Sequence, residues 1–165
     1  MNEKSYPFQI SNANIRYTLE SVSEKKIIEK AVIFIETSYP NIYNLALVDV
    51  LADGTESDIT VSNNSDLVVV MATVMKIIDD FLNKFTDKSV IFRGSDFRRT
   101  RLYRIIISRE YDLISEQFKI LGLKDGTFYP FDSSIEFDAF LICKQCFLWK
   151  RKLKILFHRM LKIVL

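Results

Sequence analysis

The pattern of apolar and polar positions in the N-terminal half of the chain is typical of antiparallel strands. Residues 28–36 and 42–50 are rich in β-branched and aromatic side chains, and they flank the turn sequence Ser38-Tyr39-Pro40-Asn41. This arrangement predicts a hairpin. Two shorter strands are predicted beside it, an edge strand over residues 15–21 and a strand over residues 58–61 that folds back after a turn.

A helix is predicted next, because apolar residues recur every three or four positions after a run of capping residues. The capping candidates are Ser62-Asn63-Asn64-Ser65-Asp66. The apolar positions are Leu67, Val70, Met71, Val74, Ile77, Ile78, Phe81, Leu82 and Phe85.

The second half of the chain mixes short apolar runs with a second helical segment. The run 90–92 predicts a central strand that ends at Arg93-Gly94-Ser95-Asp96. The β-branched run 102–108 predicts a further strand, and residues 110–121 predict a helix that ends at Gly122 or at Asp125-Gly126. Two closing strands are predicted over residues 128–131 and 137–142.

These elements do not alternate in the βαβ manner that requires a parallel sheet. The sequence therefore predicts an α+β fold: an antiparallel, twisted sheet with two main helices on one face. A length of 165 residues fits one hydrophobic core, so residues 1–142 are expected to form a single domain.

The C-terminal segment, residues 143–165, differs from the rest in charge. It holds seven of the 23 basic residues and no acid, which leaves 16 basic residues against 21 acids before it. From about Gln145 to Leu165 the pattern predicts an extra amphipathic helix. Its apolar face consists of Trp149, Leu153, Leu156, Phe157, Met160 and Val164.

This helix is too charged to span a bilayer, and no transmembrane segment is predicted. Three partners fit its pattern: the acidic body of the chain, a second subunit in a homo-oligomer, or an anionic membrane surface. An altered reading frame at the end of the gene is a further explanation for the segment. The helix is expected to be dispensable for folding and to govern association.

The residues that commonly bind metals are too sparse for a metal or cofactor prediction. Cys143 and Cys146 form one C-x-x-C pair without the second pair that a zinc site needs. Four aspartates have no EF-hand spacing and are assigned to turns and caps. They are Asp49, Asp53, Asp58 and Asp66. Reduced thiols and an N-terminus without a signal-peptide pattern predict a cytoplasmic protein.

The most distinctive chemistry is an arginine segment, residues 93–109, which holds six of the nine arginines. Arginine has a planar donor fork suited to phosphate or carboxylate, and glycine permits close backbone approach. The candidate anion-binding residues are Arg93, Gly94, Ser95, Arg98, Arg99, Arg101, Tyr103 and Arg104. Alternatively, these arginines pair with acids of the body and have only a structural role.

Several motifs together resemble an uncharacterised family of small bacterial proteins, largely from Bacteroidota. They are Tyr43-Asn44-Leu45-Ala46-Leu47, Val61-Ser62-Asn63-Asn64, Ile91-Phe92-Arg93-Gly94-Ser95 and Arg99-Thr100-Arg101-Leu102-Tyr103-Arg104. The resemblance covers about residues 5–142 and implies a domain of unknown function, with no reaction, ligand or partner attached.

The sequence favours a non-enzymatic module that binds a phosphate-containing ligand or nucleic acid through the arginine segment, with Tyr103 stacking on a base. The only histidine is His158, so the commonest general base is missing from the body. The alternative is a histidine-free ribonuclease toxin of the RelE kind, in which Tyr103 or an arginine transfers the proton while Arg99 and Arg101 stabilise the transition state. Association through the basic tail is a third interpretation.

Overall fold

A computed structural model describes residues 4–11, 13–24, 26–57 and 66–145 of the chain. Within these residues it contains two helices, α1 (Leu67–Lys84) and α2 (Phe97–Ser115). The strands are β1 (Phe8–Ile10), β2 (Arg16–Val22), β3 (Ile27–Glu36), β4 (Ile42–Val50), β5 (Glu56–Ser57), β6 (Ser89–Phe92), β7 (Phe118–Lys124), β8 (Thr127–Pro130) and β9 (Ala139–Lys144).

All these strands belong to one sheet, in the order β1-β2-β3-β4-β6-β9-β7-β8, with β5 paired to β4. The α+β prediction is confirmed, but the sheet is mixed rather than wholly antiparallel. The exception is the pair β4 and β6, which run parallel because α1 carries the chain back across the sheet between them. Only three residue pairs form this parallel ladder, from Ile42 opposite Ser89 to Asn44 opposite Ile91.

The predicted hairpin is confirmed as β3 and β4, and the strand predicted over 15–21 is β2. That strand is not at the edge, because β1 pairs with it on its outer side. The strand predicted over residues 58–61 lies outside the described residues. The preceding residues Glu56 and Ser57 do fold back on β4, opposite Val50 and Asp49.

The largest correction concerns residues 97–115, which form one helix where a strand and the start of another helix were predicted. Its buried positions recur with helical spacing. They are Thr100, Tyr103, Ile106, Ile107, Glu110 and Ile114. The β-branched run inside this segment favoured a strand, but packing of this apolar stripe on the sheet outweighs a weak local propensity.

The following segment was predicted as the end of a helix, and it is strand β7 instead. Asp125-Gly126 does not end a helix: it is the two-residue turn between β7 and β8. Both turn residues have positive φ, 49° and 74°, as tight hairpin turns require.

Both helices pack on the same face of the sheet and share one core with it. That core joins aromatic residues of both halves, including the stacked rings of Phe34 and Phe81, whose centroids are 3.8 Å apart. A smaller cluster of Ile42, Leu121 and Leu141 lies on the opposite face.

The predicted C-terminal helix lies outside the described residues from position 146 onward. Strand β9 extends to Lys144, so the sheet takes in the first two residues of the basic segment. Neither α1 nor α2, the helices of the described part of the chain, is long and apolar enough to cross a membrane.

Candidate functional site

The candidate site is a cleft that opens where the parallel strands β4 and β6 separate. Beyond Asn44 and Ile91 the two strands no longer pair, since β4 continues to Val50 while the chain leaves β6 at Arg93 and turns into α2. The carboxyl ends of parallel strands are the usual place for ligands in sheets of this kind, because the following helices begin there.

The cleft has a volume of about 1230 Å³ and is lined by residues from several parts of the fold. Residues of β4 and of the loop after β6 line it, together with the first turns of α1 and α2. The end of β7, residues 136–138 before β9, Lys30 of β3 and Ser57 of β5 complete the lining. Both helices therefore begin at this cleft, so the positive ends of both helix dipoles lie beside it.

The loop after β6 is held against the first turn of α2 by three hydrogen bonds. The Gly94 amide donates to Thr100 Oγ1 at 3.0 Å, and the Thr100 amide donates to the carbonyl of Asp96 at 3.0 Å. The Asp96 side chain caps the helix, accepting from the Arg99 amide at 2.8 Å. A Cβ at position 94 would overlap the Thr100 nitrogen, so only glycine fits this close approach.

Two of the predicted arginines line the cleft together with Gly94 and Ser95. Arg99 donates from Nη1 to Ser95 Oγ at 2.6 Å, and its Nε lies 3.9 Å from Asp96 Oδ2. Arg93 is exposed and makes no ion pair or hydrogen bond through its side chain within the described part of the chain. Its guanidinium therefore keeps all its donors for solvent or a ligand.

The other arginines do not converge on the cleft, because the helix turns successive residues to different sides. Arg98, Arg101 and Arg109 are exposed on α2, do not line the cleft, and make no ion pair with any residue that the structure describes. Arg104 Nη1 donates to the Ile135 carbonyl at 3.1 Å. The alternative that these arginines mainly pair with acids of the body is not what the structure shows for residues 93–109.

Tyr103 belongs to the core as well as to the wall of the cleft. It is only 4% exposed, and its ring packs edge-on against Phe92 with centroids 5.0 Å apart. Burial raises the pKa of its phenol to about 12, although the charge of Arg99 acts in the opposite direction. The ring offers no free face to a base, and a phenol of this pKa is poorly matched to proton transfer near neutral pH. The ribonuclease interpretation thereby loses its proposed proton-transfer tyrosine.

A buried ion pair that the sequence reading missed lies at the side of the cleft. Lys30 of β3 and Asp49 of β4 stand directly opposite in the hairpin, and Lys30 Nζ donates to Asp49 Oδ1. Both side chains are buried, and Asp49 Oδ2 has no hydrogen-bond partner. The register of the predicted hairpin places the pair opposite each other, but its burial depends on tertiary packing and could not be predicted from the sequence.

Of the other aspartates assigned to turns and caps, Asp53 lies in a turn and Asp66 has a different role. Asp53 accepts hydrogen bonds from the Thr55 amide and hydroxyl, which confirms a turn and lowers its pKa. Asp66 precedes α1 but does not cap it with its side chain. It accepts instead from the hydroxyls of Tyr6 and Ser21, at 2.7 and 2.6 Å. Asp58 lies outside the described residues.

One comparison with known proteins is informative. A family model described as a family of unknown function (DUF6934) matches residues 2–145. The chain belongs to this family. The resemblance to an uncharacterised domain is confirmed at that level, while the bacterial group and the individual motifs stay predictions. No curated protein and no solved structure matches the chain.

The family description names no ligand or reaction for the cleft. The charges of its lining residues therefore indicate what it could bind. Four basic residues line it: Lys30, Arg93, Arg99 and Lys124. Six acids line it as well: Asp49, Asp66, Asp96, Asp125, Glu136 and Asp138. Among the described residues no group of three or more His, Cys, Asp and Glu side chains is arranged to hold a metal ion. The cleft is therefore charged with both signs, and Arg93, which has no ion pair in the described part of the chain, lies beside the Gly94 loop.

The cysteine pair does not contribute to the cleft. Cys143 is buried in β9 within hydrogen-bonding distance of the Lys119 carbonyl, at 3.8 Å. Burial raises the pKa of its thiol to about 12, against a lowering effect of Lys119, so the thiolate that redox chemistry needs is disfavoured. Cys146 lies outside the described residues.

Proposed function

We propose that this protein is a binding module for a small, phosphate-containing ligand, which it holds in the cleft between β4 and β6. The observation that carries the proposal is the exposed guanidinium of Arg93, which has no partner in the described part of the chain and stands at the start of the Gly94-Ser95 loop. Arg99 lines the same part of the cleft and adds a second cation.

The backbone supports the same chemistry. The loop leads directly into α2, whose first turn carries the partial positive charge of the helix dipole. A phosphate at a helix N-terminus gains from this dipole, and an arginine fork adds charge-assisted hydrogen bonds of matching geometry. No step of bond making or breaking is assigned to the site, because its tyrosine is buried and the pKa of its phenol is raised.

The test is calorimetric titration of the full chain with inorganic phosphate and with ribose 5-phosphate. We expect Arg93→Gln and Arg99→Gln each to weaken binding about tenfold, the usual effect of losing a charge-assisted hydrogen bond. The matched control is Arg109→Gln, which removes an exposed arginine of α2 outside the cleft and should leave affinity within about twofold. Equal losses in all three variants, or no binding to the wild type, would refute the proposal.

A second candidate, nucleic-acid binding, is supported by a different surface. Arg98, Arg101 and Arg109 on α2 are exposed without ion pairs in the described residues, which is typical of a phosphate-backbone contact. In this case the triple variant with glutamine at all three positions should weaken binding of single-stranded RNA and flatten its salt dependence, measured by fluorescence anisotropy. The variants Arg93→Gln and Arg99→Gln should then have little effect.

A further inference from the structure

Three exposed apolar side chains lie on the same cleft as the proposed phosphate site. Leu67 and Val68 begin α1 and are 41% and 42% exposed, and Phe97 begins α2 and is 65% exposed. Two helices thus both start with apolar residues that face open cleft rather than core. Exposed apolar groups that gather beside polar residues are typical of a binding surface. They provide a place for a flat, apolar part of a ligand beside its phosphate.

The unpaired Oδ2 atom of Asp49 indicates that the ligand carries a hydrogen-bond donor. The residue is only 6% exposed, lines the cleft, and its Oδ2 has no hydrogen-bond partner. Buried carboxylate oxygens almost always accept hydrogen bonds, because leaving one unsatisfied is costly. A ligand group that donates a hydrogen bond, such as an amine or amide, would satisfy it.

The strand register gives the distance between Asp49 and Arg93 of the proposed phosphate site. Asn44 stands opposite Ile91, Asp49 lies five residues farther along β4, and Arg93 lies two residues beyond Ile91. The offset of three residues corresponds to about 10 Å along the strands, and the strand spacing adds about 5 Å across them. The two ends of the ligand are therefore on the order of 11 Å apart.

We infer that the ligand is a mononucleotide whose base carries an exocyclic amino group. This inference depends on the proposed phosphate site. The phosphate occupies the Gly94 loop between Arg93 and Arg99, and the base lies against Phe97 and the start of α1. The amino group of the base donates to Asp49 Oδ2. A mononucleotide combines a phosphate, an aromatic ring and a donor over this distance, and it is smaller than the cleft volume of about 1230 Å³.

The first test changes only the ligand, so it does not depend on the folding of a variant. Adenosine 5′-monophosphate should bind the full chain at least tenfold more tightly than ribose 5-phosphate, because the base adds stacking and a hydrogen bond. Purine riboside 5′-monophosphate, which lacks the amino group, should fall between them. Equal affinity for all three would overturn the inference and leave the phosphate site intact.

The second test changes the apolar surface. Phe97→Ala should weaken binding of adenosine 5′-monophosphate about tenfold, the usual effect of losing an aromatic stacking partner, and leave ribose 5-phosphate unchanged. Leu113→Ala is the control, since Leu113 is an exposed apolar residue of α2 outside the cleft. An equal effect of Phe97→Ala on both ligands would overturn the inference.

If neither ligand binds the wild type, or if adenosine binds as tightly as its phosphate, the proposed function itself fails.

Discussion

Single residues decide the shape of the loop proposed to bind phosphate, and Gly94 is the clearest case. We predict that Gly94→Ala lowers the free energy of unfolding by about 1–3 kcal/mol, because the new methyl group overlaps the backbone at Thr100. The displaced loop should also weaken phosphate binding at least tenfold. Urea unfolding and calorimetric titration measure the two effects.

Gly54→Ala is the matched control for this prediction. Gly54 has a φ of 81° and no atom within 4 Å of a Cβ, so the substitution costs backbone strain without a clash. The free energy of unfolding of the Gly54→Ala variant should fall, while its affinity for phosphate should stay within about twofold of the wild type. A comparable loss of affinity in both variants would contradict the role assigned to Gly94.

The residues of the site were only partly predictable from the sequence. Clustering of arginine with Gly94 and Ser95 pointed to the loop that lines the cleft, since these residues are adjacent in the chain. It also included Arg98 and Arg101, because a strand assignment over residues 102–108 hid the helical rotation that turns them away. Asp49 was assigned to a turn or a cap, but it lies in β4 and is buried, and this burial depends on tertiary packing that the sequence pattern does not display.

Among the elements, α2 shows most clearly where local propensity and final structure disagree. Leu102 to Ser108 is rich in isoleucine, which favours strands, yet the segment is helical. The buried positions of α2 include polar Thr100 and Glu110, so an apolar pattern alone did not display the helical period. The helix α1 was predictable because its buried face is almost wholly apolar.

The N-terminal cap of α2 leads to a prediction about the stability of this helix. Asp96→Ala removes the side chain that accepts from the Arg99 amide, so the free energy of unfolding should fall by about 1 kcal/mol. Asp96→Ser keeps a capping oxygen and should recover most of this loss, as measured by urea unfolding. Asp112→Ala, at an exposed position near the other end of the helix, is the control and should have little effect. Equal stability of the alanine and serine variants would contradict the capping role.

In the molecule as a whole, the sheet has two parts that meet at a short seam. Strands β1 to β5 form a meander and strands β6 to β9 form the second part. Within the residues that the structure describes, three pairs between β4 and β6 join the two parts. The order of neighbouring strands within the meander was predictable, because adjacent strands in the chain usually pair. The pairing of β4 with β6 was not predictable from the sequence, since parallel pairing depends on how α1 crosses the sheet.

The boundary of the C-terminal segment leads to the last prediction. Lys144 Nζ donates to Asn83 Oδ1, and the Gln145 amide donates to the Gln117 carbonyl at 2.9 Å. We therefore expect a chain of residues 1–145 to remain folded and to unfold cooperatively in urea, while a cut after Ile142 removes these contacts and lowers stability.

Sizing and flotation with anionic vesicles then test what residues 146–165 do. If they govern association, the full chain should form an oligomer or float with vesicles, and the 1–145 chain should do neither. An unfolded 1–145 chain would show instead that the segment is part of the core, and the expectation that it is dispensable would be wrong.

The seam between β4 and β6 also has a consequence for biosynthesis. Strand β4 is complete at Val50, but its parallel partner ends at Phe92, about 40 residues later. At a synthesis rate of roughly 5–20 residues per second, that gap lasts about 2–8 s. During it the nascent meander has no β6 to cover the edge of β4 at residues 42–44. Open strand edges recruit other chains. We therefore expect the yield of soluble protein to depend on translation speed between these two strands.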